Sequence, residues 1–378
     1  LEAPTRHPVN WKEDSFWDKE GFLKESERVY DVCHTCRRCV SLCESFPTLF
    51  DLIDESETFE LDSVDKNDFQ KVVDECYMCD LCYQTKCPYV PPHPWALDFP
   101  HLMLRGKAIA YQEKNKSLKQ RARDSALTST DSLGKLMKLP LVDITYEAIS
   151  KSPKARKIAS KITGVHEEAP WPNFEKSVKT YIPKSIENVT ATDKTTGKVA
   201  LFTGCYCRNN DAELANDLLK VFEHNNIETR VILDDKCCGM PKLDLGDLKS
   251  VENLMKHNVP KLLQEIDEGF DIISLVPSCV LMFKQELPLL FDENDDLKKI
   301  KQHIFDPFEY LSDRESKGLM NKSFKNSLGK IAYQVACHQR VQNIGPKTKE
   351  LLEMVPDTEV QAIERCSGPV SYTHLRAH

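Results

Sequence analysis

Cysteine is the residue that most constrains this chain, because 15 of its 378 residues are cysteines and eight of them form two short runs. An odd number excludes complete pairing into intramolecular disulfides. Disulfide frameworks are also typical of small secreted chains, whereas this chain is long and opens with no apolar export segment. The two runs are Cys33-x2-Cys36-x2-Cys39-x3-Cys43 and Cys76-x2-Cys79-x2-Cys82-x4-Cys87-Pro88.

Three cysteines spaced by two residues, with a fourth further on, are typical of a chain that wraps a cubane iron–sulfur cluster. The two runs therefore predict two [4Fe-4S] clusters. The alternative is zinc, which also accepts four cysteines, but zinc ribbons use paired Cys-x2-Cys elements and not this triple spacing. In two-cluster ferredoxins the fourth cysteine of each run serves the other cluster. We therefore expect one set of Cys33, Cys36, Cys39 and Cys87, and a second set of Cys76, Cys79, Cys82 and Cys43.

The x4 gap before Cys87 is one residue longer than the common x3 gap. This extra residue leaves the role of Cys87 as a ligand more open than that of the other seven cysteines.

Charge is distributed unevenly along the chain. The net charge of −8 argues against nucleic acid as a partner, and no apolar run reaches the roughly 18 residues of a membrane span. Residues 1–100 carry 10 Lys and Arg against 21 Asp and Glu, whereas residues 101–190 carry 17 against 9. Such asymmetry indicates domain boundaries. We expect an N-terminal extension at 1–20, an α-helical ferredoxin domain at 21–105, a basic helical linker at 106–195 and a further domain at 196–369.

Apolar spacing favours helices in the first half of the chain. The segments 49–53 and 69–73, between the two cysteine runs, repeat apolar residues at helical spacing, and the prolines from 88 to 94 then favour an extended strap. In the basic region, 104–118 and 133–161 are predicted as amphipathic helices. They have two interpretations: a docking surface for a partner or for anionic lipid, or a solvated linker.

The second half alternates strands and helices, which predicts parallel α/β layering. Predicted strands at 199–203, 229–233 and 271–276 enclose helices at 212–221 and 254–266, and in the first helix Leu214, Leu218 and Phe222 are expected on one apolar face. A second cycle follows, with a strand from 331, a helix at 349–354 and a strand at 359–363. The fold class is therefore α + α/β, with an internal repeat in the second domain.

Further cysteines follow the predicted strands. Cys205, Cys237, Cys238 and Cys279 each lie at or after the carboxyl end of a strand, which is the ligand-binding edge of a parallel sheet. Gly239 after the cysteine pair allows a tight turn. A metal cluster or redox thiol chemistry is one interpretation, and buried thiols that act as small hydrophobes are the other. Cys207 is either a spare thiol or an alternative ligand. His338, beside Cys337, is either a ligand, a proton donor or a polar residue at a strand end.

Taken together, the twin cysteine runs, Cys237-Cys238-Gly239, Pro277-Ser278-Cys279 and Cys337-His338 resemble the Cys-Cys-Gly domain family of iron–sulfur proteins. This family includes iron–sulfur subunits of heterodisulfide reductase and of anaerobic glycerol-3-phosphate dehydrogenase. The resemblance implies a helical two-cluster ferredoxin domain, followed by a domain that holds a third iron–sulfur centre or works on thiols. Carried over to this chain, it assigns the residues of two centres. The first would be held by Cys205, Cys237, Cys238 and Cys279, and the second would include Cys337 and Cys366.

Ser367 stands where the strict motif has a cysteine. This difference puts a cluster in the second repeat in doubt.

The sequence contains no Gly-x-Gly dinucleotide fingerprint and no P-loop, so flavin or nicotinamide chemistry is expected on a partner chain. We predict an electron-transfer subunit of an anaerobic oxidoreductase. It would relay electrons from a flavin-containing dehydrogenase subunit, or another redox protein, to a membrane or soluble acceptor. The expected location is the cytoplasm, with peripheral contact to the membrane face. One alternative is a catalyst that reduces a disulfide at Cys205, Cys237, Cys238 and Cys279, and another is a structural or redox-sensing iron–sulfur protein.

Both ends of the chain are expected to be artificial. The first residue is Leu1, and residues 370–378 read like the translation of an adaptor used in DNA sequencing libraries. We therefore expect native sequence to stop near Gly368 and the second repeat to be cut short.

Overall fold

The computed structural model describes residues 4–113, 118–163, 166–169, 171–174, 186 and 188–364. Cys366 and the predicted artefact at 370–378 lie outside these residues. The described chain combines many helices with a small parallel sheet, as the α + α/β prediction requires.

Helices make up the regular structure around the two cysteine runs. The side chain of Asp18 accepts hydrogen bonds from the amides of Glu20 and Gly21 and so caps the long helix that ends in the first run. The apolar segments predicted at 49–53 and 69–73 are both helical, and each buries its apolar face. Beyond the 3₁₀ turns at Leu61–Ser63 and Lys66–Asp68, the helices are α1 (Asp14–Trp17), α2 (Lys19–Cys36), α3 (Ser45–Asp54), α4 (Phe69–Asp74) and α5 (Phe99–Gln112).

The basic region forms several short helices. The prediction of one helix over 133–161 is wrong, because Pro140 and Pro153 each start a new helix and cannot continue the preceding one. The helix predicted at 104–118 begins earlier, at Phe99, and ends at Gln112. The helices here are α6 (Leu118–Thr128), α7 (Thr130–Met137), α8 (Pro140–Lys151) and α9 (Pro153–Thr163).

A four-stranded parallel sheet forms the centre of the second half. Its strands are β1 (Lys198–Leu201), β2 (Glu228–Val231), β3 (Asp271–Ile273) and β4 (Ile304–Phe305). Their order is β2-β1-β3-β4, so the chain runs outward from β1 in one direction and then returns past it to β3. The carboxyl ends of β1 and β3 therefore meet at a topological switch point, where parallel sheets bind ligands.

Helices cover both faces of this sheet. Alternate residues of β1 point to opposite cores, Val199 and Leu201 to one and Ala200 to the other. In the helix after β1, Leu218 and Phe222 are buried as predicted, but Leu214 is 43% exposed because Ala215 and Leu219 complete the apolar face. The helices of this region are α10 (Gly204–Asn209), α11 (Ala212–His224), α12 (Met240–Leu245), α13 (Leu248–Asp267), α14 (Pro277–Leu281), α15 (Leu287–Leu290), α16 (Asp295–His303) and α17 (Pro307–Ser316).

The predicted second cycle forms a separate two-stranded parallel sheet. It contains β5 (Gly329–Gln334), α18 (Cys337–Arg340), α19 (Lys347–Leu352) and β6 (Thr358–Ile363). Strand, cysteine, helix and strand thus recur in the predicted order. β4, α16 and α17 were not predicted, because β4 has only two residues and gives no periodic signal.

One apolar core joins the helical first half to the sheet. It runs without a break from Phe22 and Leu104 to Leu243 and Leu281. The N-terminal extension crosses the same junction, since the Trp11 indole N–H donates to the Leu290 carbonyl at 3.1 Å. Within the described residues, no helix is long and apolar enough to span a bilayer.

Candidate iron–sulfur and Cys-Cys-Gly sites

The first cysteine run begins on a helix and leaves it abruptly. Cys33 and Cys36 lie on the last turn of α2, which ends at Arg37. Arg37 adopts a left-handed conformation with φ of 50°, and its amide donates to the Cys33 carbonyl. This reversal turns the chain back, so that Cys39 approaches the two helical cysteines.

Left-handed residues also shape the second run. Met78 and Asp80 have φ of 49° and 59°, so the chain curls between Cys76 and Cys82 instead of forming a continuous helix. A π-helical turn, Cys82–Lys86, follows, and the Cys87 amide donates to the Cys82 carbonyl at 2.8 Å. This wide turn accommodates the extra residue of the x4 gap.

The two runs exchange their fourth cysteines in space. Cys87 lies within electrostatic range of Cys33, Cys36 and Cys39, although it belongs to the other run. Cys43 likewise interacts with Cys82, together with Cys76 and Cys79. Cys39 also interacts with Cys82, so the two groups adjoin. The structure thus brings together the two groups of four that the sequence predicts.

The first group of thiols surrounds an open cleft. Cys33, Cys36, Cys39 and Cys87 line it together with the apolar rings of Phe46 and Phe50. Among the described residues, no three His, Cys, Asp or Glu side chains converge as the ligands of a single metal ion do. A cubane offers a separate iron to each thiolate, so its ligands surround a volume and need not converge on a point.

Burial disfavours free thiolates in both groups. It is the main cause that raises the pKa of Cys39 to about 12 and that of Cys76 to about 11, and neighbouring thiols raise the pKa of Cys39 further. A positively charged iron–sulfur core removes this penalty, because metal ligation deprotonates the thiol outright. The donor chemistry and the cleft therefore fit a cluster.

The Cys-Cys-Gly site lies at the switch point of the sheet. Cys205 follows β1 and Cys279 follows β3, while Cys237 and Cys238 follow β2. Gly204 has a φ of +63°, and a Cβ there would lie 3.4 Å from the Cys279 Sγ, so this glycine gives the thiol its space. The glycine of the Cys-Cys-Gly sequence starts α12 with a φ of +103°.

The four thiols of this site contact one another in series. Cys205 is hydrogen-bonded to Cys237, Cys237 to Cys238, and Cys238 to Cys279. Three of them are buried, and Cys205 is partly exposed. Cys207 lies apart, because its side chain packs in the core on the opposite face of the sheet with Val199 and Leu201. This packing favours the interpretation of Cys207 as a buried apolar thiol.

Polar side chains that sequence reasoning did not select hold these loops in place. The buried carboxylate of Asp235 accepts from the Gly204 amide at 2.8 Å and pairs with Arg208 at 2.7 Å. Asn258, on α13, accepts from the Lys236 amide at 2.9 Å, and Asp131 at the start of α7 accepts from the Cys237 amide at 2.8 Å. α7 of the basic region therefore packs directly on the Cys-Cys-Gly site. Isolated Asp and Asn residues carry no spacing signal that could have identified them.

A buried charged network lies beside the second cysteine run. Arg6 pairs with Asp80 at 2.6 Å and with Asp98 at 2.8 Å, while His101 approaches Asp98 at 3.2 Å and Glu286 at 3.3 Å. Burial lowers the pKa of His101, but the two carboxylates outweigh it and raise the pKa to about 9. The network links the N-terminal extension, the cysteine run and the Cys-Cys-Gly half.

The remaining predicted residues are placed as follows. Cys337 is partly buried against the main core, and His338 beside it contacts Ser278 and Met78. The Arg37 guanidinium pairs with Asp54 and is committed to that contact. Ser367 and Cys366 lie outside the described residues.

Comparison with known proteins agrees with this geometry. Residues 199–284, which contain the strand ends and the four thiols, match the family model described as "Cysteine-rich domain" (CCG). The chain carries a CCG cysteine-rich domain. It is homologous to iron–sulfur subunits of anaerobic glycerol-3-phosphate dehydrogenase and of fumarate reductase (CoM/CoB).

The glycerol-3-phosphate dehydrogenase relative, from Escherichia coli K12, is 24% identical over 248 residues, which cover 65% of this chain and 61% of that protein. The fumarate reductase relative, from Methanothermobacter marburgensis, is 26% identical over 176 residues, 45% of this chain and 32% of that protein. An uncharacterized iron–sulfur protein of Methanocaldococcus jannaschii is 26% identical over 45% of this CCG chain and 32% of its own length. The match thus spans less than two thirds of each of these relatives, and no solved structure matches the chain.

Proposed function

We propose that this chain is an iron–sulfur electron-transfer subunit of an anaerobic oxidoreductase. The observation that carries the proposal is the exchange of fourth cysteines, which makes two groups of four thiols adjoin at Cys39 and Cys82. Cubane clusters supply one-electron transfer with little change in geometry when they are bound. Two such groups side by side form a path along which an electron can pass.

Two [4Fe-4S] clusters are proposed, one in each group of four. Cys33, Cys36, Cys39 and Cys87 would hold the first, where the cleft and its apolar walls limit water access. The second would be held by Cys76, Cys79, Cys82 and Cys43, of which Cys76 and Cys82 are buried. Burial of the ligands favours a structure in which the metal, and not a proton, neutralises the thiolates.

A third iron–sulfur centre is proposed in the CCG domain, on the series Cys205, Cys237, Cys238 and Cys279. The space that Gly204 leaves beside Cys279 supports it. The proposal of a further centre that uses Cys337 and Cys366 stays weaker, since Ser367 stands at a ligand position of the strict motif.

The proposed donor is a flavin-containing dehydrogenase subunit or another redox protein, because the sequence has no dinucleotide fingerprint of its own. The proposed acceptor lies in solution or at the cytoplasmic face of the membrane. Peripheral contact is supported by apolar side chains that α8 and its flanks expose among lysines, since Leu141 is 81% and Ile144 is 61% exposed. Cosedimentation with vesicles of anionic lipid, compared with neutral vesicles, tests this contact.

The second candidate function is reduction of a disulfide at the CCG site. It is favoured by Cys205, which is the partly exposed thiol of the four and could meet a substrate sulfur. Two electrons from the clusters and two protons from solvent would convert the disulfide into two thiols, and no other reductant is needed.

One anaerobic experiment separates the two functions. Protein reduced with photoreduced deazaflavin is mixed either with benzyl viologen poised as an acceptor or with cystamine as a disulfide. We expect rapid reoxidation by the dye and no release of thiol from cystamine. Thiol release by the isolated chain that is lost in Cys205→Ser and kept in the control Cys207→Ala would support the catalyst instead.

A further inference from the structure

One imidazole lies between the second cysteine run and the CCG site. His338 Nε2 is 3.2 Å from the Met78 carbonyl oxygen, and His338 Nδ1 is 2.7 Å from the Ser278 Oγ. Met78 stands between Cys76 and Cys79, and Ser278 directly precedes Cys279. The same ring therefore touches the loops of both groups of thiols.

The two contacts define which nitrogen carries the proton. A backbone carbonyl only accepts, so the Nε2 that faces Met78 must donate. Nδ1 of a neutral ring then accepts from the Ser278 hydroxyl. Both partners are satisfied by one neutral tautomer, and the ring needs no charge to bridge them.

The bridge continues to sulfur at both ends. The Met78 amide donates a hydrogen bond to the Cys76 thiol. At the other end, Ser278 is covalently joined to Cys279. A chain of covalent and hydrogen bonds therefore runs from the Cys76 Sγ through Met78, His338 and Ser278 to the Cys279 Sγ.

Packing holds the ring in this position. α18, which carries His338, is tied to α14 by Gln342, whose Nε2 donates to the Pro277 carbonyl at 3.3 Å and to the His338 carbonyl at 2.8 Å. Met78 is 2% exposed, so water does not replace the imidazole at its carbonyl. A fixed, dry bridge of bonded atoms couples two redox groups better than the same gap crossed through space.

We propose that His338 relays electrons between the centre at Cys76 and the centre at Cys279, a role that rests on the proposed function. One electron leaves the first centre, which is oxidised, and arrives at the second, which is reduced. His338 forms and breaks no covalent bond, and no proton crosses it. Because it acts through Met78 and Ser278, it is a positioning residue of the path and not a ligand.

The test compares three variants of the full chain, purified without air. His338→Phe keeps a ring but removes both hydrogen bonds, and Ser278→Ala removes only one link. The matched control is Gln342→Ala, which loosens the same helix contact without touching the imidazole. After photoreduction, rapid-freeze EPR follows the arrival of the electron at the CCG centre, while redox titration and iron analysis give the potentials and the occupancy of each centre.

We expect electron arrival to slow severalfold in His338→Phe and, to a lesser degree, in Ser278→Ala, with wild-type iron content, potentials and thermal midpoint. Gln342→Ala should be as fast as wild type. If His338→Phe does not fold, Ser278→Ala alone decides the result. Unchanged rates in both relay variants, or equal slowing in Gln342→Ala, overturn the relay.

A wild-type chain whose CCG centre is never reduced overturns the proposed function, and the relay with it. The two failures differ, because the first appears only in the variants and the second already in wild type. A readout independent of electron flow is ¹⁵N NMR of the His338 ring, which should show a proton on Nε2 and none on Nδ1. The opposite tautomer contradicts the bridge.

Discussion

The ammonium of Lys107 lies 2.7 Å from the Asp244 carboxylate, and this largely buried ion pair joins α5 of the helical half to α12 of the CCG domain. Lys107 also stands close enough to Cys76 to lower the pKa of that thiol, against the larger effect of burial. The same cation therefore serves the junction between the two halves and the second cysteine group.

Lys107→Ala should destabilise the chain, because it leaves Asp244 buried without its partner. Breaking a buried pair in this way costs about 3–5 kcal/mol, which a lower thermal midpoint would report. The control is Lys19→Ala, which removes the more exposed pair with Glu113 and should cost about 1 kcal/mol or less. Equal effects of the two substitutions would contradict a structural role for the Lys107 pair. In the reduced protein, loss of the cation should also lower the potential of the second cluster.

Gly246→Ala tests the contact between the halves by shape. Gly246 has a φ of +83°, and an added Cβ would lie 2.5 Å from the backbone of Lys107. Gly269 has a similar φ of +86° with nothing within 4 Å of an added Cβ, so it is the matched control. Both substitutions should lose about 1–3 kcal/mol of unfolding free energy to backbone strain, and Gly246→Ala a further 1–3 kcal/mol to overpacking. Equal midpoints in thermal unfolding would show that the junction yields at this point.

The buried network around His101 predicts a pH dependence of stability. Its carboxylate partners raise the pKa of His101 to about 9 in the folded chain, so its stabilising contribution is complete below the unfolded value of about 6.5 and is lost as the pH rises towards 9. Hydrogen bonding to His101 and the charge of Arg6 outweigh burial and lower the pKa of Glu286, so the contribution of that carboxylate is lost as the pH falls below about 4.

Thermal midpoints of wild type and His101→Gln, measured anaerobically from pH 4 to pH 9, check this dependence. The gap between the two proteins should be widest near pH 5–6 and should shrink by roughly 3 kcal/mol towards pH 9. A constant gap over this range would show that His101 gains no proton affinity on folding.

The sequence predicts the cysteine groups well, because spacing limits where thiols on a short curled chain can go. It predicts the strands of the sheet for the same local reason, since 199–203 and 229–233 are short apolar runs. It does not predict Asp235, Asn258 or the relay position of His338. Each of these acts through a contact with a distant segment, such as the 260 residues that separate His338 from Met78, and tertiary contacts of this kind leave no periodic trace.

The division of 133–161 into three short helices was available from the sequence in principle. Pro140 and Pro153 lack the amide that a continuing helix needs, so their positions alone favour two new starts. The apolar spacing on either side is helical and in phase, which is why periodicity alone predicted one helix.

Exchange of the fourth cysteines makes a specific prediction for two variants. Cys43→Ser should alter the EPR signal of the cluster at Cys76, Cys79 and Cys82, whereas Cys87→Ser should alter that of the cluster at Cys33, Cys36 and Cys39, because each fourth thiol lies with the other run. Changes confined to each residue's own run would contradict the exchange.

The most direct test of the account is iron and acid-labile sulfide analysis, with EPR, of protein purified without air. The account predicts a coloured protein with about eight irons from two cubanes, and more where the CCG centre is filled. A folded, colourless protein that contains only zinc would contradict it.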